Sequence, residues 1–300
     1  VSEQPLVSIV TPSLNQGRFI DDTIKSVLGQ DYPRVEYVVV DGGSTDGTLA
    51  ILGRYDGALR WISEPDAGQG AAINKGLRLT SGEILGWLNS DDVYEPGAIS
   101  AAVQFLEEHP ENALVYGDAT HIDALGNEIG PCSYVEPANV HRLIHEVDYI
   151  VQPAAFFRRS AFEAVGGLDE SLQWALDYDL FLKIARRFPI AYVPRKLARY
   201  RLTGENKTTR GRFERFAELE RVGRRHGAGG LPAVFSVDYF WLCVKEARRL
   251  AARKELRRAA RLALRGAGAL FGSPRALRHF FRLCVAKVTG ATAVTGAGAR

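Results

Sequence analysis

Cysteine is scarce in this chain. Cys132, Cys243 and Cys284 are three in 300 residues, widely spaced and odd in number. A disulfide framework or a zinc site is therefore not expected, and a reducing, cytoplasmic setting fits. Long apolar runs are missing too: the stretch 231–244 is broken by Pro232 and Asp238, so no membrane-spanning helix is expected. Val1-Ser2-Glu3-Gln4-Pro5 leads at once into an apolar strand, which predicts no secretory leader. No repeat of fixed period occurs. A dinucleotide-dependent dehydrogenase would need Gly-x-Gly-x-x-Gly after its first strand, and Thr11-Pro12-Ser13-Leu14-Asn15-Gln16-Gly17 does not supply it.

What is present suits one large domain with an appendage, since 46% of the residues are apolar and can bury a sizeable core. Leu6-Val7-Ser8-Ile9-Val10, Val35-Glu36-Tyr37-Val38-Val39-Val40, Leu59-Arg60-Trp61-Ile62-Ser63 and Ile84-Leu85-Gly86-Trp87-Leu88 read as strands. Helix-like stretches at about 18–28, 47–55 and 71–79 separate them. Strand alternating with helix predicts βαβ units and a parallel sheet. Each strand ends in a polar cluster, so these clusters gather along one sheet edge, where α/β proteins bind ligands.

The cluster after the fourth strand is Asn89-Ser90-Asp91-Asp92. Adjacent carboxylates at a buried strand's end repel one another unless a cation sits beside them. A divalent metal carrying a diphosphate is the economical answer. On the residues alone, a solvated turn with Asp91 capping the next helix explains the same acids.

Three segments carry a family resemblance: Val-Ser-Ile-Val-Thr-Pro-Ser-Leu-Asn at 7–15, Val-Asp-Gly-Gly-Ser-Thr-Asp-Gly-Thr at 40–48, and Leu-Asn-Ser-Asp-Asp at 88–92. Together and in this order they resemble the signatures of the family 2 glycosyltransferases, over about residues 5–205. The resemblance implies a GT-A fold: a nucleotide-binding α/β domain with a mostly parallel central sheet flanked by helices, here followed by a C-terminal helical appendage. It implies an inverting, metal-dependent transferase that moves a sugar from a nucleotide donor, a UDP- or dTDP-sugar, to a hydroxyl. The acceptor would be a glycan, a lipid-linked glycan or a small molecule, in bacterial cell-surface polysaccharide synthesis.

By the same resemblance, Pro12 and Asp41 line the base and ribose pocket. Asp41 would accept from an imide N–H, which uracil and thymine both present. Starting the Gly42-Gly43 bend is the other reading of Asp41. Asp46 reads as a helix cap. Asp66 and Asn74 either reach the nucleotide or fix their loop. Asp91 is implied to bind the ribose and Asp92 to hold Mn²⁺ or Mg²⁺ against the phosphates. Relatives often carry Asp where Asn89 stands, and Asn can still ligate through its carbonyl oxygen.

A second acidic segment, Trp174-Ala175-Leu176-Asp177-Tyr178-Asp179, opens an apolar-periodic helix. The family places its base as the second residue of a Glu-Asp pair, which here reads Leu176-Asp177. Asp177 is thus the candidate base that takes the acceptor's proton. Asp179, and Asp177 on the blander reading, complement the helix dipole. Trp174 offers a flat face for an acceptor sugar or for packing. The family's metal-binding His, expected just past Tyr200-Arg201, is missing. Glu205 or Asn206 substitutes for it, or an extra water stays on the metal while Lys207 helps neutralise phosphate. The six histidines lack ligand spacing with these acids.

Charge divides the chain. Residues 1–206 carry 17 Lys+Arg against 29 Asp+Glu, and residues 207–300 carry 21 against 6, so balances of −12 and +15 sum to the net +3. The predicted domains are accordingly 1–206, catalytic, and 207–300, basic and helical. Arg249, Arg253, Arg257, Arg261 and Arg265 recur every fourth residue, a basic amphipathic pattern. It would lie on acidic phospholipid at the inner membrane face, or pack on the acidic domain. No nucleic-acid motif accompanies it. A non-catalytic sugar-nucleotide-binding module and a nucleotidyltransferase remain as alternatives. The intact acids argue against the first, and the absence of an early basic phosphate loop argues against the second.

Overall fold

The computed structural model describes residues 4–204, 206–207 and 211–289. Two compact units emerge, one of residues 1–138 with 150–203 and one of residues 139–149 with 204–300.

In the first unit, β1 (Val7–Ser13), α1 (Ile20–Leu28), β2 (Val35–Asp41), α2 (Thr48–Leu52), β3 (Arg60–Ser63), α3 (Gln69–Arg78) and β4 (Ile84–Trp87) alternate as the sequence pattern predicts. β1 pairs in parallel with β2 and with β4, and β2 with β3, giving the order β3-β2-β1-β4. The chain winds outward from β1 through β2 to β3, then returns to β1's other side as β4. Such a reversal opens a crevice beyond the carboxyl ends of β1 and β4. These strands are buried on both faces, which explains their unbroken apolar runs. Ile9 and Val39 join the core that includes Ile20 and Ile24 of α1, while Val38 and Val40 pack with Ala72 of α3 on the opposite face. Gly76 lets α3 close on the sheet: a Cβ there would stand 2.4 Å from Val10 Cγ1.

Beyond β4 the sheet becomes mixed. β5 (Val93–Tyr94) and α4 (Ala98–Glu108) lead to β6 (Leu114–Ile122) and β7 (Glu128–Pro131). After the second unit's α5 (Val140–His145) come β8 (Ala155–Arg158), α6 (Arg159–Ala164), α7 (Leu176–Ala185) and β9 (Ile190–Arg201). β8 runs antiparallel to both β4 and β6, β9 is parallel to β6, and β5 and β7 pair antiparallel at the margins. The parallel character is thus confined mainly to the half that carries the three signatures. β9 crosses the whole unit and ends at Arg201, beside the loop that joins β4 to β5.

The second unit contains α5, α8 (Arg212–Arg225), α9 (Ala233–Ala252), α10 (Leu256–Phe271) and α11 (Pro274–Thr289). Ala233, Val237, Leu270 and Ala276 form its small core with Phe240, Phe280 and Leu283. The segment 139–149, central in the sequence, belongs here: Val234 N–H donates to the Glu146 carbonyl at 2.9 Å. The arginine row is not one helix. Lys254 takes φ 63°, a left-handed conformation that ends α9 before α10 begins. No helix among the described residues is long and apolar enough to cross a membrane.

Candidate active site

The loops after β1 and β2 are stitched into one rim. Asn15, at φ 53°, turns its side chain so that Oδ1 accepts from Thr45 N–H at 2.8 Å, while its own N–H donates to Ser44 Oγ at 2.7 Å. Gln16 N–H donates to Thr48 Oγ1 and Gly17 N–H to Asp46 Oδ2. Burial raises the Asp46 carboxyl, but the bonds from Thr48 and Gly17 outweigh it and hold the group below the ordinary aspartate value. Asp46 does its capping one residue early, by binding Thr48 N–H at 2.9 Å. Pro12 is buried and lies past the last β1–β4 pairing, where its missing N–H breaks no ladder bond on that side.

Asp41 is fully buried, and its carboxylate organises the rim. Oδ2 accepts from Gly43 N–H, Ser44 N–H and Ser63 Oγ at 3.1, 2.8 and 2.7 Å. Oδ1 accepts from Ser44 Oγ at 2.5 Å. A carboxylate offers about four lone-pair sites, so the turn-forming role accounts for nearly all of its bonding capacity.

Past β4, Asn89 is a hub. Its Oδ1 accepts from Gln69 Nε2 and from Trp87 Nε1, both at 2.8 Å, and its Nδ2 donates to Gln152 Oε1 at 2.9 Å and to Asp92 Oδ2 at 3.3 Å. The carbonyl oxygen expected to be available to a metal is therefore occupied twice, which corrects the idea that Asn89 ligates. Asp92 is buried; Oδ1 accepts from the Arg201 N–H at 2.9 Å, and its carbonyl accepts from Thr23 Oγ1. Desolvation first, and then the charge of Asp91, push Asp92 well above the ordinary carboxyl value. Burial raises Asp91 too, against the pull of its own backbone N–H and of Arg201. Arg201, 1% exposed, reaches the Asp91 carbonyl at 2.8 Å and Asp22 Oδ2 at 3.1 Å, with its guanidinium over the Phe19 ring. Two adjacent carboxyls, Asp92 buried and Asp91 half-buried, both pushed toward protonation, fit a divalent cation, which would replace the proton. No cluster of three or more acid, Cys or His side chains forms a metal cage among the described residues.

The third loop meets the second acidic segment. Asp66 Oδ1 accepts from Gly68 N–H at 2.8 Å, and its carboxylate lies where a Cβ on Gly42 would stand, 2.9 Å from Oδ2. Asn74 fixes the neighbouring loop, the other of its two readings. Its Nδ2 donates to the Leu168 carbonyl and to Glu170 Oε1, and its Oδ1 accepts from Leu168 N–H. Both amide protons and one lone pair of Oδ1 are thus engaged at the 168–170 loop. A Cβ on Gly70 would stand 3.0 Å from Leu176 Cδ2, and the position of one on Gly68 is 3.5 Å from Gln173 Nε2. The start of α3 thus touches both acidic segments: Gln69 holds Asn89, and the next residue abuts the one before Asp177. Asp177 is half-buried in the first turn of α7, while Asp179 is buried and paired with Lys183 at 2.7 Å.

Glu205, offered as a substitute for the missing His, lies outside the described residues. Sequence reading overlooked Gln152 and undervalued Arg201. A Gln-Pro opening an apolar strand and an arginine as the last residue of one were the available signals.

A family model described as glycosyl transferase family 2 matches residues 8–166. An uncharacterized glycosyltransferase of Mycobacterium tuberculosis is 30% identical over 237 residues, 77% of this chain and 88% of that protein. Escherichia coli chondroitin synthase is 32% identical over 205 residues, 67% of this chain but 30% of its own length, and a Rickettsia felis glycosyltransferase is likewise covered over 33%. The chain thus spans about a third of several curated relatives. Among solved structures, Staphylococcus aureus TarS with UDP superimposes with a TM-score of 0.59 at 21% identity, covering 82% of this chain and 72% of that one. The mannosyltransferase PcManGT of Pyrobaculum calidifontis, with GDP-Man and Mn²⁺, gives 0.61 at 21% identity, covering 95% and 81%. The signature loops sit at the crevice beyond β1 and β4, and with these matches the conclusion is plain: the chain belongs to glycosyl transferase family 2.

Proposed function

We propose that residues 1–206 transfer one sugar, with inversion, from a nucleoside diphosphate donor to an acceptor hydroxyl. The carrying observation is the adjacent Asp91-Asp92 pair, half-buried and buried, at the crevice beyond β1 and β4, linked through Gln69 and Gly70 to the segment bearing Asp177. Asp91 and Asp92 would hold Mn²⁺ or Mg²⁺, which would supply positive charge to the leaving diphosphate. Asp177 accepts the proton of the acceptor hydroxyl as that oxygen attacks the anomeric carbon from the face opposite the diphosphate. Asn89 and Arg201 fix the acid pair, by the amide proton at Asp92 Oδ2 and the backbone N–H at Oδ1.

Pro12 and the rim around Asp41 and Asp66 receive the base and ribose. Oδ1 of Asp41 keeps a lone pair for an imide N–H, which favours a uridine or thymidine donor. UDP and UDP-GlcNAc in TarS, and GDP-Man with Mn²⁺ in PcManGT, support a nucleotide sugar as donor and a divalent cation. The chondroitin synthase match supports a polysaccharide acceptor in surface glycan synthesis. A panel of UDP-, dTDP- and GDP-sugars, each with and without Mn²⁺, tests the reading by thermal shift, since a ligand of the folded state raises its melting temperature. One nucleotide class should stabilise the wild type in a Mn²⁺-dependent way and lose that effect in Asp92→Ala. Unimpaired turnover by Asp92→Ala would sink the proposal.

A further inference from the structure

Helix α10 packs one side on its own unit and leaves large apolar side chains of the adjoining strip in solvent. At about 100° per residue, the buried Ala259, Gly266 and Leu270 cluster on one side. Leu256, Ala260, Leu264 and Phe271 fall in an adjoining band about 80° wide by the same spacing, which begins about 40° past Leu270. The large members of this band are 66%, 72% and 63% exposed for Leu256, Leu264 and Phe271. Arg257, Arg261 and Arg265 follow next around the helix, all exposed. Arg257 and Arg261 make no ion pair among the described residues. Arg265 lies over the Tyr239 ring at 5.7 Å. After Glu255 the sequence contains no acidic residue at all.

A helix that merely completes a small core needs one apolar face, with polar residues elsewhere. An apolar strip that runs on past the packed side into solvent, bordered along its length by arginines, is what an in-plane helix at a lipid interface requires. We propose that α10 docks on an anionic phospholipid surface, with Leu256, Leu264 and Phe271 entering the headgroup–acyl boundary and the arginine row on lipid phosphates. A second copy of the chain fits less well, because its own acid-free helix would set like charges against this row. The proposal concerns the second unit's surface and stands apart from the transfer chemistry.

Flotation of the full chain with phosphatidylcholine vesicles, with and without phosphatidylglycerol, tests it. The wild type should float with the anionic vesicles at low salt and release as salt screens the phosphates. Replacing Arg257 and Arg261 by Gln should weaken binding roughly fivefold per arginine. Leu264→Asp should weaken it roughly tenfold or more through the lost apolar insertion. These side chains are exposed, so the melting temperature should not change. In a second readout, Leu264→Trp should shift its fluorescence to the blue on adding anionic vesicles. Equal binding to zwitterionic vesicles, undiminished flotation of Leu264→Asp, an unshifted Trp spectrum, or self-association abolished by Leu264→Asp without vesicle binding would each overturn the proposal.

Discussion

Asn89→Asp gives the sharpest test of how the acid pair is held. The substitution keeps Oδ1, so Gln69 and Trp87 retain their acceptor. It replaces the donating Nδ2 with an oxygen that faces Asp92 Oδ2 at 3.3 Å and Gln152 Oε1 at 2.9 Å. Two unit charges 3.3 Å apart repel by about 5 kcal/mol at an effective dielectric of about 20. The fold escapes that cost by taking up a proton or a cation, so the loss depends on both. The added carboxyl, like Asp92, has a folded-state pKa above its unfolded value, and the folded protein binds the proton more tightly. Stability then falls as pH rises from the ordinary aspartate value toward the raised one, and stays low beyond it.

Scanning calorimetry of EDTA-treated protein should find Asn89→Asp near wild type at pH 5. At pH 8 it should melt about 10–20 °C lower, at roughly 2–4 °C per kcal/mol for a unit of this size, and recover with Mn²⁺. Asn89→Leu, which removes all four hydrogen bonds, should lose stability at both pH values and ignore Mn²⁺. An Asn89→Asp loss independent of pH and cation would refute the reasoning.

Further substitutions separate structure from chemistry. Asp177→Asn should lower kcat by about 10²–10⁴-fold while donor binding, followed by calorimetry, stays near wild type. Arg201→Leu should cost about 3–5 kcal/mol in urea unfolding, because the carbonyls of Asp91 and Asp123 and the Asp22 carboxylate lose a buried cation. Gly70→Val should press on Leu176 and Glu170, shift the first turn of α7, and cut kcat about tenfold or more while nucleotide-dependent thermal shifts persist. The Cys132 thiol, pushed up to about 12 by burial, should resist a thiol reagent at pH 8 until the protein is unfolded, whereas exposed Cys284 reacts at once.

The parallel half of the fold was legible because β1, β2 and β4 are buried on both faces and end in polar clusters. Apolar runs and turn residues are local signals, and they placed Pro12, Asp41 and Asp91-Asp92 on one edge. What escaped was long-range. Gln152 meets Asn89 across 63 residues and Arg201 meets Asp22 across 179, and no neighbouring residue advertises either pairing. Asn74 stayed two-sided in the sequence because a polar side chain near such a loop looks alike whether it serves a nucleotide or a neighbouring turn, and its bonds to Leu168 and Glu170 display the second role. The arginine row looked continuous because spacing by four does not register one left-handed residue at Lys254.

Ser44 ties both halves of the rim: its hydroxyl oxygen takes the Asn15 N–H, its hydroxyl proton goes to Asp41, and its own N–H goes to the same carboxylate. A donor-preference change engineered at Ser44 would therefore slacken the two loops together before it altered any contact with a base. Leu14, 56% exposed on the same rim, lacks that double duty. Library diversity aimed at a new nucleotide belongs at Leu14, with Ser44 left untouched.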